Sequence, residues 1–166
     1  DLAAGGGRHG RYFLERGHPV TLVDRQTEAL LDLEPDPRAT VIQADLEDGS
    51  PWPLNEKYAG VVVVNYLHRP LTENLLESLE PGGLLIYETF ARGNENFSRP
   101  RNPDHLLKSG ELLQMVLGRL QVIAYEHGIR EKSPLKGVIQ RICAVNNLDQ
   151  SVREDREPQV LNLEPN

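Results

Sequence analysis

Asp1-Leu2-Ala3-Ala4-Gly5-Gly6-Gly7-Arg8-His9-Gly10 is the stretch on which the fold turns. It reads as the last step of a strand, then a glycine loop, then the start of a helix. Glycines at such a junction let a ligand approach the backbone with no Cβ in the way, and the helix beyond them offers unpaired N–H donors. Taken literally, Gly5, Gly7 and Gly10 also satisfy G-x-G-x-x-G, the spacing of dinucleotide-binding turns. That spacing is weak by itself, and a plain flexible turn is the bland alternative. With no Met ahead of Asp1, the strand ending there is expected to begin upstream, as about five or six residues preceded by a helix.

Working outward, apolar and polar segments alternate with a regular beat. Strand-like runs fall at Val20–Val23, Thr40–Gln43, Gly60–Val64, Leu84–Thr89, Leu120–Tyr125 and Val138–Val145. Several are continuously apolar, as strands buried on both faces should be. Helix-like stretches lie between them at Gly10–Arg16, Thr27–Leu33, Leu71–Leu79 and Glu111–Leu117, the third with Leu71, Leu75, Leu76 and Leu79 at helical spacing. Only a charged, turn-rich segment, Glu126–Gly137, separates the last two strands, so they are expected to pair antiparallel. The pattern predicts an α/β fold of three layers, α/β/α. Its sheet is doubly wound, Rossmann-like and mostly parallel, with a terminal antiparallel strand inserted beside Leu84–Thr89 and a truncated strand ending at Asp1. Asn146–Asn166 is polar, with two prolines and five acidic against two basic residues, and reads as a loosely docked tail.

Composition narrows the function classes. Of 166 residues, 39% are hydrophobic and no run is long enough for a membrane helix, so the chain is globular. Twenty-five acidic against eighteen basic residues give a net charge of -7, which disfavours phosphate backbones as a general partner. The single cysteine, Cys143, excludes an internal disulfide framework and a cysteine-cluster metal site. No metal-ligand spacing and no secretion signal is seen, and a cytoplasmic location is expected.

Two acids follow the glycine loop. Val20-Thr21-Leu22-Val23-Asp24 is an apolar strand ending in a carboxylate 19 positions after Gly5, where such a group accepts both hydroxyls of a ribose; Asp24 is also suited to cap the run after it. Val41-Ile42-Gln43-Ala44-Asp45-Leu46 repeats the arrangement with a second acid. A pocket that recognises an adenine amino group benefits from it, and an ordinary loop acid is the other reading.

Asp1-x-x-x-Gly5-x-Gly7, Asp24, Ala44-Asp45-Leu46, Asn65 after the next strand and Glu80-Pro81-Gly82-Gly83 together resemble class I S-adenosylmethionine-dependent methyltransferases. The resemblance covers Asp1 to about Asn146, and the wording Asn65-Tyr66-Leu67-His68-Arg69-Pro70 is most similar to the tellurite-resistance-type branch. It implies a methyltransferase domain over 1–146 with 147–166 as tail, S-adenosyl-L-methionine as cofactor and a small-molecule methyl acceptor as partner, with neither nucleic acid nor membrane. It implies further that Gly5 and Gly7 pass under the methionine part and that Asp1 helps to hold its ammonium group. Asp24 would take the ribose hydroxyls, Asp45 the adenine amino hydrogen, Leu46 the ring, and the Asn65 carbonyl would lie beside the sulfonium. Ala3 and Arg25, neighbours of these groups, are counted with the cofactor site.

Acceptor candidates lie beyond Asn65. Tyr66 and His68 follow the strand at the end of the sheet where open α/β folds bind ligands; His68 serves either as base or orienting group, or as a capping or packing histidine. Arg69 precedes a proline and is either a substrate contact or a solvated charge. Phe90–His105 is long for a connection and carries Arg92, Arg99 and Arg101. It reads as a lid whose arginines attract an anionic or oxygen-rich substrate, or as a mobile surface loop. Methyl transfer is an in-line displacement on an activated carbon, so orientation matters more than a dedicated catalytic dyad. The rival readings are an NAD(P)-dependent oxidoreductase using the literal Gly5, Gly7, Gly10 loop, and a non-catalytic nucleotide-sensing domain.

Overall fold

The computed structural model describes residues 1–131, 136–150, 153–155 and 157–162. Its strands are β1 (Val20–Asp24), β2 (Ala39–Gln43), β3 (Tyr58–Val64), β4 (Leu79–Phe90), β5 (Gln121–Arg130) and β6 (Gly137–Val145). Its α-helices are α1 (Arg8–Glu15), α2 (Thr72–Glu77) and α3 (Glu111–Val116). The continuously apolar runs are indeed the central strands: Leu22, Val23 and Val61–Val63 are all buried.

Parallel pairing joins β1 to β2 and β3 to β4. Between these pairs lies the stub leading into the glycine loop. Leu2 bridges Val23 on one side and Val63 on the other, both in parallel. The Leu2 N–H donates to the Val62 carbonyl at 2.9 Å, and the Ala4 N–H to that of Val23 at 3.0 Å. β6 then runs antiparallel beside β4, from Leu84↔Val145 to Phe90↔Ile139, with β5 antiparallel at the outer edge. The sheet therefore reads β2-β1-(Leu2)-β3-β4-β6-β5, with the inserted terminal strand where the sequence pattern puts it.

Some elements differ from the expected ones. Thr27–Leu33 is not an α-helix but a 3₁₀ segment, Glu28–Leu33, that buries only Leu30. Pro35 and Pro37 follow at once and prevent propagation. Leu71–Leu79 divides into a 3₁₀ turn over Arg69–Leu71, begun by Pro70, and the short α2. Leu79 belongs to β4, whose register shifts between Tyr58↔Leu79 and Gly60↔Leu84. β5 continues to Arg130, beyond the expected end at Tyr125. Within the expected connection Glu126–Gly137, residues 132–135 lie outside the described residues, as do 151–152, 156 and 163–166 of the expected tail.

Leu75 and Leu76 of α2 and Leu112 and Val116 of α3 pack with Leu85, Tyr87 and Ile142 on one face of the sheet. Side chains alternate across a strand, so Ile86 faces the other way, toward Tyr12 and Phe13 of α1. No helix among the described residues is long and apolar enough to cross a membrane.

Candidate functional site

Parallel strands deliver their carboxyl ends to one edge, and most of the singled-out residues lie along it. The chain leaves Leu2 through Ala3 with φ 53°, then Gly5 at 54° and Gly7 at 71°. The four glycines of the loop do different jobs. A Cβ on Gly7 would stand 2.6 Å from Leu30 Cδ2, and one on Gly10 2.5 Å from Leu22 Cδ2. Both glycines let α1 sit close against β1. A Cβ on Gly5 or Gly6 would meet nothing within 4 Å, so this part of the loop is open to an approaching molecule.

Acids grip the loop from both ends. Asp24 Oδ2 accepts the Gly5 N–H at 2.7 Å, while its Oδ1 accepts that of Gln26 at 2.9 Å. Asp1 Oδ2 accepts the Gly10 N–H at 2.8 Å. Asp45, exposed at the end of β2, holds the Glu47 N–H at 2.9 Å. A carboxylate has about four acceptor positions, so each of these acids keeps capacity for a ligand hydroxyl or amine. Leu46 packs against the core. Arg25 is exposed next to Asp24, its carbonyl accepting from Gln43 Nε2 at 3.2 Å.

Asn65 follows β3 with φ 58°, and its N–H donates to the Glu88 carbonyl at 2.9 Å. Ala3 and Asn65 are the non-glycine residues with positive φ among the described residues, each costing on the order of 1 kcal/mol of backbone strain. They sit at adjacent strand ends, since Leu2 bridges Val63. Sequence reasoning had no signal for this strain at Ala3, where a glycine would be the easy choice.

Tyr66 is fixed through its carbonyl, which accepts the Tyr87 hydroxyl at 3.0 Å. Its own hydroxyl is shielded from solvent with no hydrogen-bond partner. Burial raises its pKa, helped by the nearby carboxylates of Glu47 and Asp45 and opposed by Arg25. Its hydroxyl thus lies near Asp45 and Glu47. His68 is half-buried and introduces the 3₁₀ turn that carries Arg69.

Arg69 is fully engaged with the protein. Nε and Nη2 bind the Glu111 carboxylate at 2.5 and 3.1 Å, Nη1 donates to the Asp104 carbonyl at 2.6 Å and Nη2 to that of Leu106 at 3.1 Å. Burial pushes the Glu111 carboxyl upward, but Arg69 and the Lys108 N–H more than reverse this and leave it below its ordinary value. The connection from Ala91 to Gly110 is fastened elsewhere too. Asn94, wholly buried, donates through Nδ2 to the carbonyls of Ser98 and Pro100. Gln140, also wholly buried, donates through Nε2 to the Lys108 carbonyl at 2.6 Å and accepts from the Leu112 N–H and the Tyr125 hydroxyl. Arg99 and Arg101 are exposed on this connection. Asn94 and Gln140 escaped the sequence reading because a buried amide leaves no periodic trace.

A cavity of about 490 Å³ runs from Arg8 and His9 along the sheet face below α1, past Val64, Ile86 and Cys143. Burial, then Arg8, holds the His9 pKa below its ordinary value. Glu88 at its rim pairs with Arg130 at 2.5 Å.

No family model and no curated protein sequence matches the chain. Solved structures do. TehB from Haemophilus influenzae superposes with a TM-score of 0.67 at 17% identity, over 86% of this chain and 55% of that one. The N-methyltransferase NodS from Bradyrhizobium japonicum WM9 gives 0.63 at 14% identity, over 87% and 83%. The fold is that of class I S-adenosylmethionine-dependent methyltransferases. The 1,6-didemethyltoxoflavin-N1-methyltransferase of Burkholderia thailandensis, solved with its substrate and S-adenosylhomocysteine, shares this fold with a TM-score of 0.60 at 19% identity, over 87% and 69%. The chain thus spans little more than half the length of the TehB chain it matches.

Proposed function

We propose that the protein transfers a methyl group from S-adenosyl-L-methionine to a small-molecule acceptor. One observation carries this reading. The open backbone at Gly5 and Gly6 is bordered by the Asp24 carboxylate at the end of β1, with the strained Ala3 and Asn65 beside it. This is a cradle with a ribose acceptor at its rim, and the residues fit the cofactor. Asp1 would hold its ammonium group, Gly5 and Gly7 its methionine part, Asp24 and Arg25 the ribose side, Asp45 and Leu46 the adenine, and Asn65 the reacting end.

The cofactor, when bound, supplies an electrophilic methyl group. The chain's task is orientation: a near-attack arrangement accounts for most of what such a displacement needs. Asp24 fixes the Gly5 N–H and so sets the loop height, and Asn65 is pinned to β4 by its bond to Glu88. His68 stands next along the chain to accept a proton where the acceptor arrives protonated. Tyr66, whose hydroxyl is shielded and whose pKa is raised, keeps its proton and positions rather than ionises. The kinship with structures named as methyltransferases, one solved with its small-molecule substrate, supports the same reading.

Calorimetry with S-adenosylhomocysteine and with NADH tests it. Binding of the former alone is expected. Asp24→Ala removes hydrogen bonds to a charged acceptor, worth about 1.5–3 kcal/mol each, and should weaken that binding at least tenfold (by about 1.4 kcal/mol or more). Preference for NADH, or unchanged affinity in a folded Asp24→Ala variant, overturns the assignment.

A further inference from the structure

The connection between β4 and α3 has the composition of a mobile loop and the construction of a fixed one. Arg69 reaches across to the Asp104 and Leu106 carbonyls and to Glu111, Asn94 ties Ser98 and Pro100 inside, and Gln140 holds Lys108 from β6. The Arg92 N–H and the Leu107 N–H close its base onto Leu107 and Phe90. Lids that open have few such bonds.

The position of this connection matters as much as its rigidity. Asn65 is bonded to Glu88, so Ala91 lies three residues, roughly 10 Å of extended chain, beyond that contact. It begins at the same end of the sheet, on the opposite side of Asn65 from Gly5 and Asp24.

Its charges are clustered. Six arginines elsewhere pair with acids, Arg11 with Asp32, Arg38 with Asp36, Arg119 with Glu73, Arg130 with Glu88, Arg141 with Glu126 and Arg153 with Asp155, while Arg8, Arg16 and Arg25 are exposed with no acidic partner among the described residues. Arg92, Arg99 and Arg101 are exposed and have no acidic partner among the described residues, although the chain carries seven surplus negative charges. The two acids of the same connection are committed elsewhere: Glu95 accepts the Gly93 N–H at 2.8 Å, and the charge of Asp104 acts on Arg69. Three guanidinium groups within ten residues of a fastened backbone, none with an acid to pair it, are available as donors to an oxyanion.

We propose that residues 91–105 form the acceptor-docking shelf, and that its acceptor carries a carboxylate or phosphate group read by Arg92, Arg99 and Arg101. Arg69 touches no ligand; it is a positioning residue that fixes the shelf. The location rests on the methyl-transfer reading, whereas the anion preference stands on the shelf alone.

The test titrates the protein, with and without S-adenosylhomocysteine, with phenyl phosphate, benzoate and benzamide. Calorimetry gives affinities, and backbone amide shifts give the site. Both anions should bind at least tenfold more tightly than neutral benzamide, with shifts concentrated in residues 91–105. The Arg99→Gln/Arg101→Gln double variant should lose at least tenfold for the anions while keeping its affinity for S-adenosylhomocysteine. Arg153→Gln, outside residues 91–105 and paired with Asp155, should change neither. Arg69→Gln should weaken anion binding and speed hydrogen exchange in 91–107 together. Equal binding of benzamide, shifts outside the shelf or an indifferent double variant overturns the proposal. Anion binding on the shelf without any binding of S-adenosylhomocysteine leaves the shelf standing and removes methyl transfer. The reverse result removes the shelf alone.

Discussion

The glycine-loop edge and the arginine-bearing shelf stand at the same end of one sheet, yet they are held by different kinds of bond. At the loop, short acids at strand ends accept backbone N–H groups near in sequence or on the neighbouring strand, such as Asp24 with Gly5, Asp1 with Gly10 and Asp45 with Glu47. The shelf depends on long side chains reaching from afar: Arg69 crosses 42 residues to Glu111, and Gln140 crosses 32 to Lys108. The loop keeps open acceptor positions for a ligand. In the shelf, the holding groups are saturated and a separate set of arginines is left free. A site can thus divide the tasks of being held and of holding, or combine them in one carboxylate.

Breaking the shelf from inside should have the largest effect. Gln140→Leu leaves the Leu112 N–H, the Tyr125 hydroxyl and the Lys108 carbonyl without their partner, at about 1–3 kcal/mol for each group that stays buried. Partial hydration of the outer two brings the expected loss to about 2–4 kcal/mol in denaturant unfolding. Affinity for S-adenosylhomocysteine should hardly change.

A smaller, opposite pattern is expected in the loop. Gly10→Ala drives a Cβ against Leu22 and should cost about 1–3 kcal/mol of stability. Gly5→Ala meets no neighbour, so its stability cost is the left-handed strain of about 1 kcal/mol. Its main effect should be weaker binding of S-adenosylhomocysteine by calorimetry. Equal effects of the two variants on binding would erase the distinction between packing glycine and ligand-facing glycine.

The smallest expected signal is in pH dependence. The folded-state pKa of Glu111 lies below its ordinary value of 4.5. The stability it contributes is therefore complete above 4.5 and is lost as pH falls through the lower folded value. Glu111→Gln should flatten the acid limb of a stability–pH profile and leave the neutral region's slope unchanged. The part of the acid sensitivity of hydrogen exchange that Glu111→Gln removes should lie in residues 91–111, not in β1 and β2.

Much of the loop edge was legible in the sequence. Apolar runs ending in Asp24 and Asp45 name their own place, because a buried parallel strand must end in something polar when it reaches solvent. The final antiparallel pair was legible for a similar reason, since no helix fits between Tyr125 and Val138. The 3₁₀ form of Glu28–Leu33 was visible only in retrospect, in Pro35 and Pro37. The sequence reads the Phe90–His105 connection as an arginine-bearing lid or a mobile loop, and shows nothing of the bonds from Arg69, Asn94 and Gln140 that fasten it. Its proline-rich and arginine-rich wording resembles that of unfixed segments, and its anchors lie on β6 and after β3.

The sequence by itself determined the period and order of the elements, the glycine loop and the acids behind it. All of these are local consequences of hydrophobic burial and of the backbone freedom that glycine allows. Only the tertiary structure decided the strain at Ala3 and Asn65, the seating of Leu2 between Val23 and Val63, and the role of Arg69 as a clamp. Those depend on which strand ends become neighbours and which distant carbonyls come within hydrogen-bond reach. Local propensity carries no information about a partner 35 or 42 residues away; the packing of the sheet supplies it.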